Sequence, residues 1–115
     1  MRVKRGAAAH AKHKKILDQA KGMQHYRTRS FRLANQGVIK SLRYSYRDRR
    51  NKKRDLRALW ITRINNASRE QGLSYSQLIA GMKNKNINVD RKILSDLAVN
   101  NPEAFKAIVN TVKEK

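Results

Sequence analysis

The sequence predicts an all-α chain, with a long basic N-terminal helical extension over residues 1–55 followed by a small helical domain over residues 56–115. Three observations lead there. Basic charge is crowded into the first half, while Ile, Leu and Val are concentrated after Leu56. No segment alternates polar and apolar residues with the period of two that a half-buried strand requires.

The charge is the dominant feature. The 115 residues hold 28 Lys+Arg against 8 Asp+Glu, a net charge of +20. Self-repulsion on that scale opposes compaction unless a polyanion is bound. Nucleic acid is the commonest such partner, and an anionic membrane surface is its rival. Residues 1–60 carry 19 Lys/Arg and 3 acids, a net of +16; residues 61–115 carry 9 and 5, a net of +4. The first half is therefore expected to bury no core, and the second half to bury one. Cysteine is absent, which excludes disulfides, thiolate metal sites and thiol nucleophiles and agrees with a reducing compartment. No run of 18 apolar residues occurs, so no membrane span is expected, and the N-terminus lacks the apolar stretch of a secretory signal. It shares a basic, acid-poor composition with transit peptides but is short of serine.

The first 25 residues carry scattered apolar groups, Val3, Ile16, Leu17 and Met23, punctuated by Gly6 and Gly22. Ala7, Ala8, Ala9 and Ala11 favour one short helix, marginal in isolation. The expectation is an arm disordered alone and ordered on RNA. From Arg27 to about Gln71 there is no proline, and Gly37 is the one glycine. This predicts a single helix of roughly 40 to 45 residues, about 65 Å long at 1.5 Å per residue.

Its middle is the most informative stretch. Residues 47–55 hold six cations in nine positions and no apolar residue. At 100° per residue Arg47, Arg49, Arg50, Lys52, Lys53, Arg54 and Arg57 fall at about 0°, 200°, 300°, 140°, 240°, 340° and 280°, and no apolar stripe is left on the stretch. A helix polar on all sides has no face to lay on a protein core. Pairs at i,i+4, Asp48 with Lys52 and Asn51 with Asp55, contribute a few tenths of a kcal/mol, too little to offset the crowding. Surrounding phosphates would suffice.

After Asp55 the pattern becomes amphipathic. Leu56, Trp60, Ile64 and Ala67 form a stripe with Leu59 beside it, and Trp60 is read as a core anchor, with base stacking as the alternative. Gly72 suits a left-handed helix end. Ser74 and Gln77 have capping-box spacing before Leu78, Ile79 and Met82. Residues 83–86 read as a loop. Asp90 is placed to cap a helix carrying Ile93, Leu94 and Leu97, with Val89 positioned to staple onto Leu94. Asn101-Pro102 is a cap followed by a first-turn proline, opening a helix that buries Phe105, Ile108, Val109 and Val112. A domain this small is expected to be marginally stable.

No catalytic constellation is present. The eight acids are dispersed, and none forms a relay with a histidine. His10, His13 and His25 lie amid the positive charge, a poor setting for a metal, so no metal or other cofactor is expected. Neither a Gly-rich phosphate loop nor a Gly-x-Ser-x-Gly elbow occurs. Aromatics do interleave with cations: Tyr26-Arg27, Phe31-Arg32 and Arg43-Tyr44-Ser45-Tyr46-Arg47. Such pairs stack unpaired bases in RNA-binding proteins. For Phe31 packing against a neighbouring helix turn is the favoured reading; for Tyr26, Tyr44 and Tyr46 packing and stacking stand level. DNA-compacting and membrane-active readings are weaker, since the chain has neither coiled-coil heptads nor an apolar face along its basic helix.

The run Tyr46-Arg47-Asp48-Arg49-Arg50-Asn51-Lys52-Lys53-Arg54-Asp55, continuing through Leu56-Arg57-Ala58-Leu59-Trp60-Ile61-Thr62-Arg63-Ile64-Asn65, closely resembles the bacterial-type large-subunit ribosomal protein twenty family. Arg2-Val3-Lys4-Arg5-Gly6, His13-Lys14-Lys15, Gly72-Leu73-Ser74-Tyr75-Ser76 and Asp90-Arg91-Lys92-Ile93-Leu94 extend the likeness collinearly. Met23 departs from it, standing where the family usually has an aromatic.

The resemblance implies a structural constituent of the large ribosomal subunit that is not an enzyme. It would bind large-subunit rRNA directly and clamp rRNA helices early in assembly, beside neighbouring large-subunit proteins. It also implies, as an alternative or coexisting role, repression of translation through the protein's own mRNA leader. No membrane partner and no homo-oligomer are implied, and the location is the ribosome of the cytoplasm or of an organelle. The rRNA-contacting residues it implies begin in the arm with Arg2, Lys4, Arg5, Lys12, His13, Lys14, Lys15 and Lys21. They continue with Arg27, Arg29, Arg32, Lys40, Arg43, Tyr44 and Tyr46, then Arg47, Arg49, Arg50, Lys52, Lys53, Arg54 and Arg57. In the C-terminal half they are Arg63, Asn66, Arg69, Ser74, Tyr75, Ser76, Arg91 and Lys92.

Overall fold

The computed structural model describes residues 4–114. They form α1 (Gly6–Gln19), a 3-10 turn (His25–Thr28), α2 (Phe31–Glu70), α3 (Tyr75–Asn84), α4 (Arg91–Asn100) and α5 (Pro102–Lys113). No strand occurs among the described residues, and the chain is all-α as its periodicity requires. It divides into two compact units, Met1–Arg50 and Asn51–Lys115, with the 40-residue α2 running from the first into the second.

The long helix begins at Phe31 rather than Arg27. His25 adopts a left-handed φ of 61° and Gly22 one of 82°, and residues 25–28 turn in 3-10 geometry. Helix α2 therefore starts only after this reversal. Histidine is among the few side chains that enter the left-handed region at moderate cost.

The reversal corrects the expectation that the first half buries nothing. Ala20, Ala34 and Val38 are buried, with Ile16, Leu17 and Met23 packed against them. The residues are small, so backbones approach closely. A Cβ placed on Gly37 would already meet the Met23 sulfur at 3.0 Å. Met23, where the family pattern has an aromatic, is a packing residue of this cluster.

The second unit is built on Ile64, Leu78, Met82, Leu94, Phe105 and Val109, all buried. Five of these side chains are fully buried, and each stabilises the fold by about 1.5–3 kcal/mol. The chain ends of its helices follow the local chemistry. Gly72 is left-handed with φ 80°; its N–H donates to the Arg69 carbonyl at 2.9 Å and the Leu73 N–H to the Ser68 carbonyl at 3.0 Å, the paired bonds of a Schellman end. The Lys113 ammonium donates to the neighbouring Gln71 carbonyl at 2.5 Å, tying the last turn of α5 to the end of α2. Ser74 and Gln77 form the reciprocal capping box, and Asn101 accepts from the Ala104 N–H at 3.2 Å ahead of Pro102.

Four expectations for this half need correction. Residues 83 and 84 still belong to α3, which ends on Asn86 at φ 56° in a second Schellman pair; asparagine tolerates that conformation where most residues do not. Asp90 stands at the N-cap of α4 but its carboxylate makes no capping bond. Ile93 is 53% exposed. The apolar stripe of α2 enters the core only from Ile64: Leu56 and Leu59 are exposed, and Trp60 is half-buried and outside the core cluster. The three short helices bury α2 over its last turns alone.

Candidate nucleic-acid interface

The basic stretch of α2 takes helical form with its cations outward. Arg47, Arg49, Arg50, Lys52, Lys53, Arg54 and Arg57 are all exposed. Local contacts hold several without neutralising them. The Arg50 guanidinium donates to the Tyr46 carbonyl at 3.2 Å and lies 3.6 Å over the Tyr46 ring. Arg47 sits 4.7 Å over Tyr44, with the Lys40 ammonium 5.8 Å from the same ring. Arg54 donates to Asn51 Oδ1 at 3.2 Å. Cation–π contacts of this kind fix where a guanidinium points while leaving its charge in place. Arg47 also pairs with Asp48 at 2.8 Å, both half-exposed. That hydrogen bond, and next the Asp48 charge, raise the Arg47 pKa further above its ordinary value, so the group stays protonated.

The arm's implied contact residues are exposed as well: Lys4, Arg5, Lys12, His13, Lys14, Lys15, Lys21, Arg27, Arg29, Arg32, Lys40 and Arg43. Arg2 lies outside the described residues. Lys21 reaches Asp18 at 3.5 Å across open surface. His13 stacks on Phe31 with ring centroids 3.9 Å apart, so Phe31 packs against a helix turn. Tyr26, Tyr44 and Tyr46 are 69%, 42% and 55% exposed, which leaves ring surface open on each.

In the second unit Arg63, Asn66, Arg69, Ser76 and Lys92 are exposed, and Ser74, Tyr75 and Arg91 are half-buried. Ser74 is engaged in its capping box, donating to Gln77 Oε1 at 3.0 Å and accepting from the Gln77 N–H at 3.4 Å. Three of the expected residues are brought together by one that the sequence did not single out. Asn65 Oδ1 accepts from Arg69 Nε and from the Tyr75 N–H, each at 3.3 Å. The Tyr75 hydroxyl in turn accepts from Arg91 Nε at 2.8 Å. Both guanidinium groups are thus held through Nε, and a bidentate grip on phosphate would fall to their Nη groups. No helical periodicity links residue 65 to 75, so the pairing had no signal in the sequence.

Among the described residues no three His, Cys, Asp or Glu side chains gather as a metal site, and no helix is long and apolar enough to cross a membrane.

The family model for Ribosomal protein L20 matches residues 2–108 of the chain. The chain belongs to this family. Among similar curated proteins is the large ribosomal subunit protein bL20 of Hahella chejuensis, 58% identical over 113 residues that span 98% of this chain and 96% of that protein. The bL20 proteins of Herminiimonas arsenicoxydans and Legionella pneumophila are 59% and 61% identical, each over 97% of this chain and 94% of theirs. Ribosomal protein L20 is a family of ribosome constituents, not of enzymes, in keeping with a sequence that holds no catalytic constellation.

Proposed function

We propose that this protein is a structural component of the large ribosomal subunit that binds large-subunit rRNA directly and promotes early subunit assembly. One observation carries the reading. Over residues 47–57 a continuous helix projects seven exposed cations over most of its circumference, with Asp48, Asn51 and Asp55 on the remaining arc, and presents no apolar face. Such a segment is stable where polyanion surrounds it. RNA helices that repel one another are drawn together when a polycation lies between them, and each phosphate contact releases condensed counterions. Recognition is mainly of shape and backbone, because A-form helices hide the base edges of their deep groove. The exposed cations of the arm and of residues 63–92 are the contact set, in the cytoplasmic or organellar ribosome and beside other large-subunit proteins.

The test is the salt dependence of binding to large-subunit rRNA. With about 6–10 phosphate contacts, affinity should fall by roughly 10³–10⁵ between 50 and 200 mM salt. A flat response would overturn the electrostatic mechanism.

A further inference from the structure

The two methionines among the described residues sit in unlike surroundings. Met82 lies in the core of the second unit at 4% exposure. Met23, the departure from the family pattern, is half-buried. It packs on the cluster of Ala20, Ala34 and Val38 and also lines an open cleft of about 620 Å³ with Arg27, Leu33, Gly37 and Tyr44. A Cβ built on Gly37 would meet Met23 Sδ at 3.0 Å and Arg27 Cδ at 3.4 Å. The thioether therefore lies against the backbone of α2, beside the aliphatic stem of Arg27. The buried members of the cluster are two alanines and a valine, so the larger side chains packed on them, Ile16, Leu17 and Met23, carry much of the apolar contact that holds α1 on α2.

A sulfur that a small solute reaches from a cleft, yet on whose packing a small core depends, is sensitive to oxidation. With no cysteine in the chain, thioethers are ready targets for a hydroperoxide. The Met23 sulfur lone pair attacks one oxygen of hydrogen peroxide, and an S–O bond forms as the O–O bond breaks. The hydroxide released takes the proton from the oxygen now on sulfur and leaves as water. Sulfur loses two electrons and the peroxide gains them, so thioether and hydrogen peroxide give sulfoxide and water. The product is polar and chiral at sulfur. An oxygen directed at Gly37 would be driven into the α2 backbone. One directed into the cleft sets a hydrated dipole where the thioether had packed, and offers the Arg27 guanidinium a strong acceptor. Both epimers exchange apolar contact for hydration.

We propose that Met23 is a site of reversible oxidation by hydroperoxides, whose sulfoxide loosens α1 from α2 and weakens the hold of the basic arm on RNA. The last step rests on the reading that the chain binds rRNA; the site of oxidation does not.

The full chain is treated with dilute hydrogen peroxide, quenched and mapped peptide by peptide by mass spectrometry. The peptide holding Met23 should gain one oxygen severalfold faster than the peptide holding Met82; equal rates overturn the site. The oxidised chain is then titrated with large-subunit rRNA beside the untreated chain. Its affinity should be about tenfold lower, the factor that goes with losing the packing of one large apolar side chain. The two epimer-specific methionine sulfoxide reductases should restore it. In the rRNA complex the amides of α1 should exchange faster after oxidation while those of α3 do not, and unchanged exchange in α1 overturns the loosening. Met23→Leu keeps the apolar volume, a swap that packed sites tolerate, and has no sulfur to oxidise. It should bind rRNA as the untreated parent does, before and after peroxide. A treated Met23→Leu chain that loses as much affinity as the treated parent assigns the effect to another residue and overturns the proposal, as does a treated parent of unchanged affinity. Failure of the untreated chain to bind rRNA overturns the rRNA reading instead, and the oxidation map still decides the site.

Discussion

Gly81 sits in the middle of α3, where glycine costs a helix about 1 kcal/mol relative to alanine. Packing explains its presence. A Cβ built on it would stand 2.2 Å from Val112 Cγ1 and 3.4 Å from Val112 Cβ on α5. Carbon atoms settle at ~3.5–4.0 Å, so the shortfall is about 1.3 Å. Val112 has no easy escape, because a β-branched side chain in a helix is held in one strongly preferred rotamer. Helices α3 and α5 must part instead, opening the contact of Leu78 and Met82 with Phe105 and Val109. Overpacking of this kind costs about 1–3 kcal/mol, and the helix-propensity gain of alanine offsets about 1 kcal/mol of it. Gly81→Ala is therefore expected to be net destabilising by up to about 2 kcal/mol. In a domain of this size each kcal/mol lowers Tm by about 4–8 °C, readable by circular dichroism with Trp60 emission as a second probe. Adding Val112→Ala removes the clashing Cγ1 methyl group, and the double variant should show a favourable coupling of about 1 kcal/mol. A Gly81→Ala protein that melts at or above the parent temperature would refute the reasoning. So would a penalty that persists undiminished beside Ala at 112.

Asn65→Ala strips one acceptor from both Arg69 and the Tyr75 N–H; urea titration should show a loss of about 1–2 kcal/mol, with Asn65→Asp, which keeps the acceptor, close to the parent. Affinity of Asn65→Ala for rRNA should also fall, because Arg69 is no longer oriented; unchanged affinity would detach Arg69 from the interface. Ser74→Ala removes the side-chain half of a complete capping box and should cost about 1 kcal/mol in thermal unfolding. Residues 56–115 expressed alone should give a dispersed amide NMR spectrum, since their core cluster lies entirely between Ile64 and Val112. A collapsed spectrum would place the domain boundary elsewhere.

What was legible in the sequence was what local chemistry decides. Gly72, the Ser74–Gln77 box and Asn101-Pro102 each act within a few residues, and each stands where its spacing put it. The exposed cations of α2 were legible for a related reason: a stretch without apolar residues has nothing to bury. What stayed hidden depends on distant chain segments. Trp60 is in phase with Ile64, and nothing local reveals that the short helices leave one outside the core and bury the other. Ala20, Ala34 and Val38 form a core because a reversal at Gly22 and His25 brings small residues together; their hydrophobic signal is too weak to be read from periodicity. The Asn65–Tyr75 bond spans a helix end and a turn, and no spacing rule anticipates it.

The charge arithmetic constrains how such a chain holds its shape. Were each of the 8 carboxylates to neutralise one cation, 20 of the 28 would still lack a partner. Ion pairs among the described residues, such as Lys21 with Asp18 and Arg47 with Asp48, join exposed side chains, and pairs of that kind contribute at most about 1 kcal/mol. The tyrosine contacts of Arg47 and Arg50 orient charge without cancelling it. Internal interactions therefore cannot supply the neutralisation that the middle of α2 needs, and neither can a core, since that stretch has no side to bury. On this reading the stability of the basic half belongs to the complex rather than to the free chain, because a partner that binds the folded form draws the folding equilibrium with it. Folding and recognition are then a single event there: the cations that make the helix costly in water are the ones that pull it into place between phosphates.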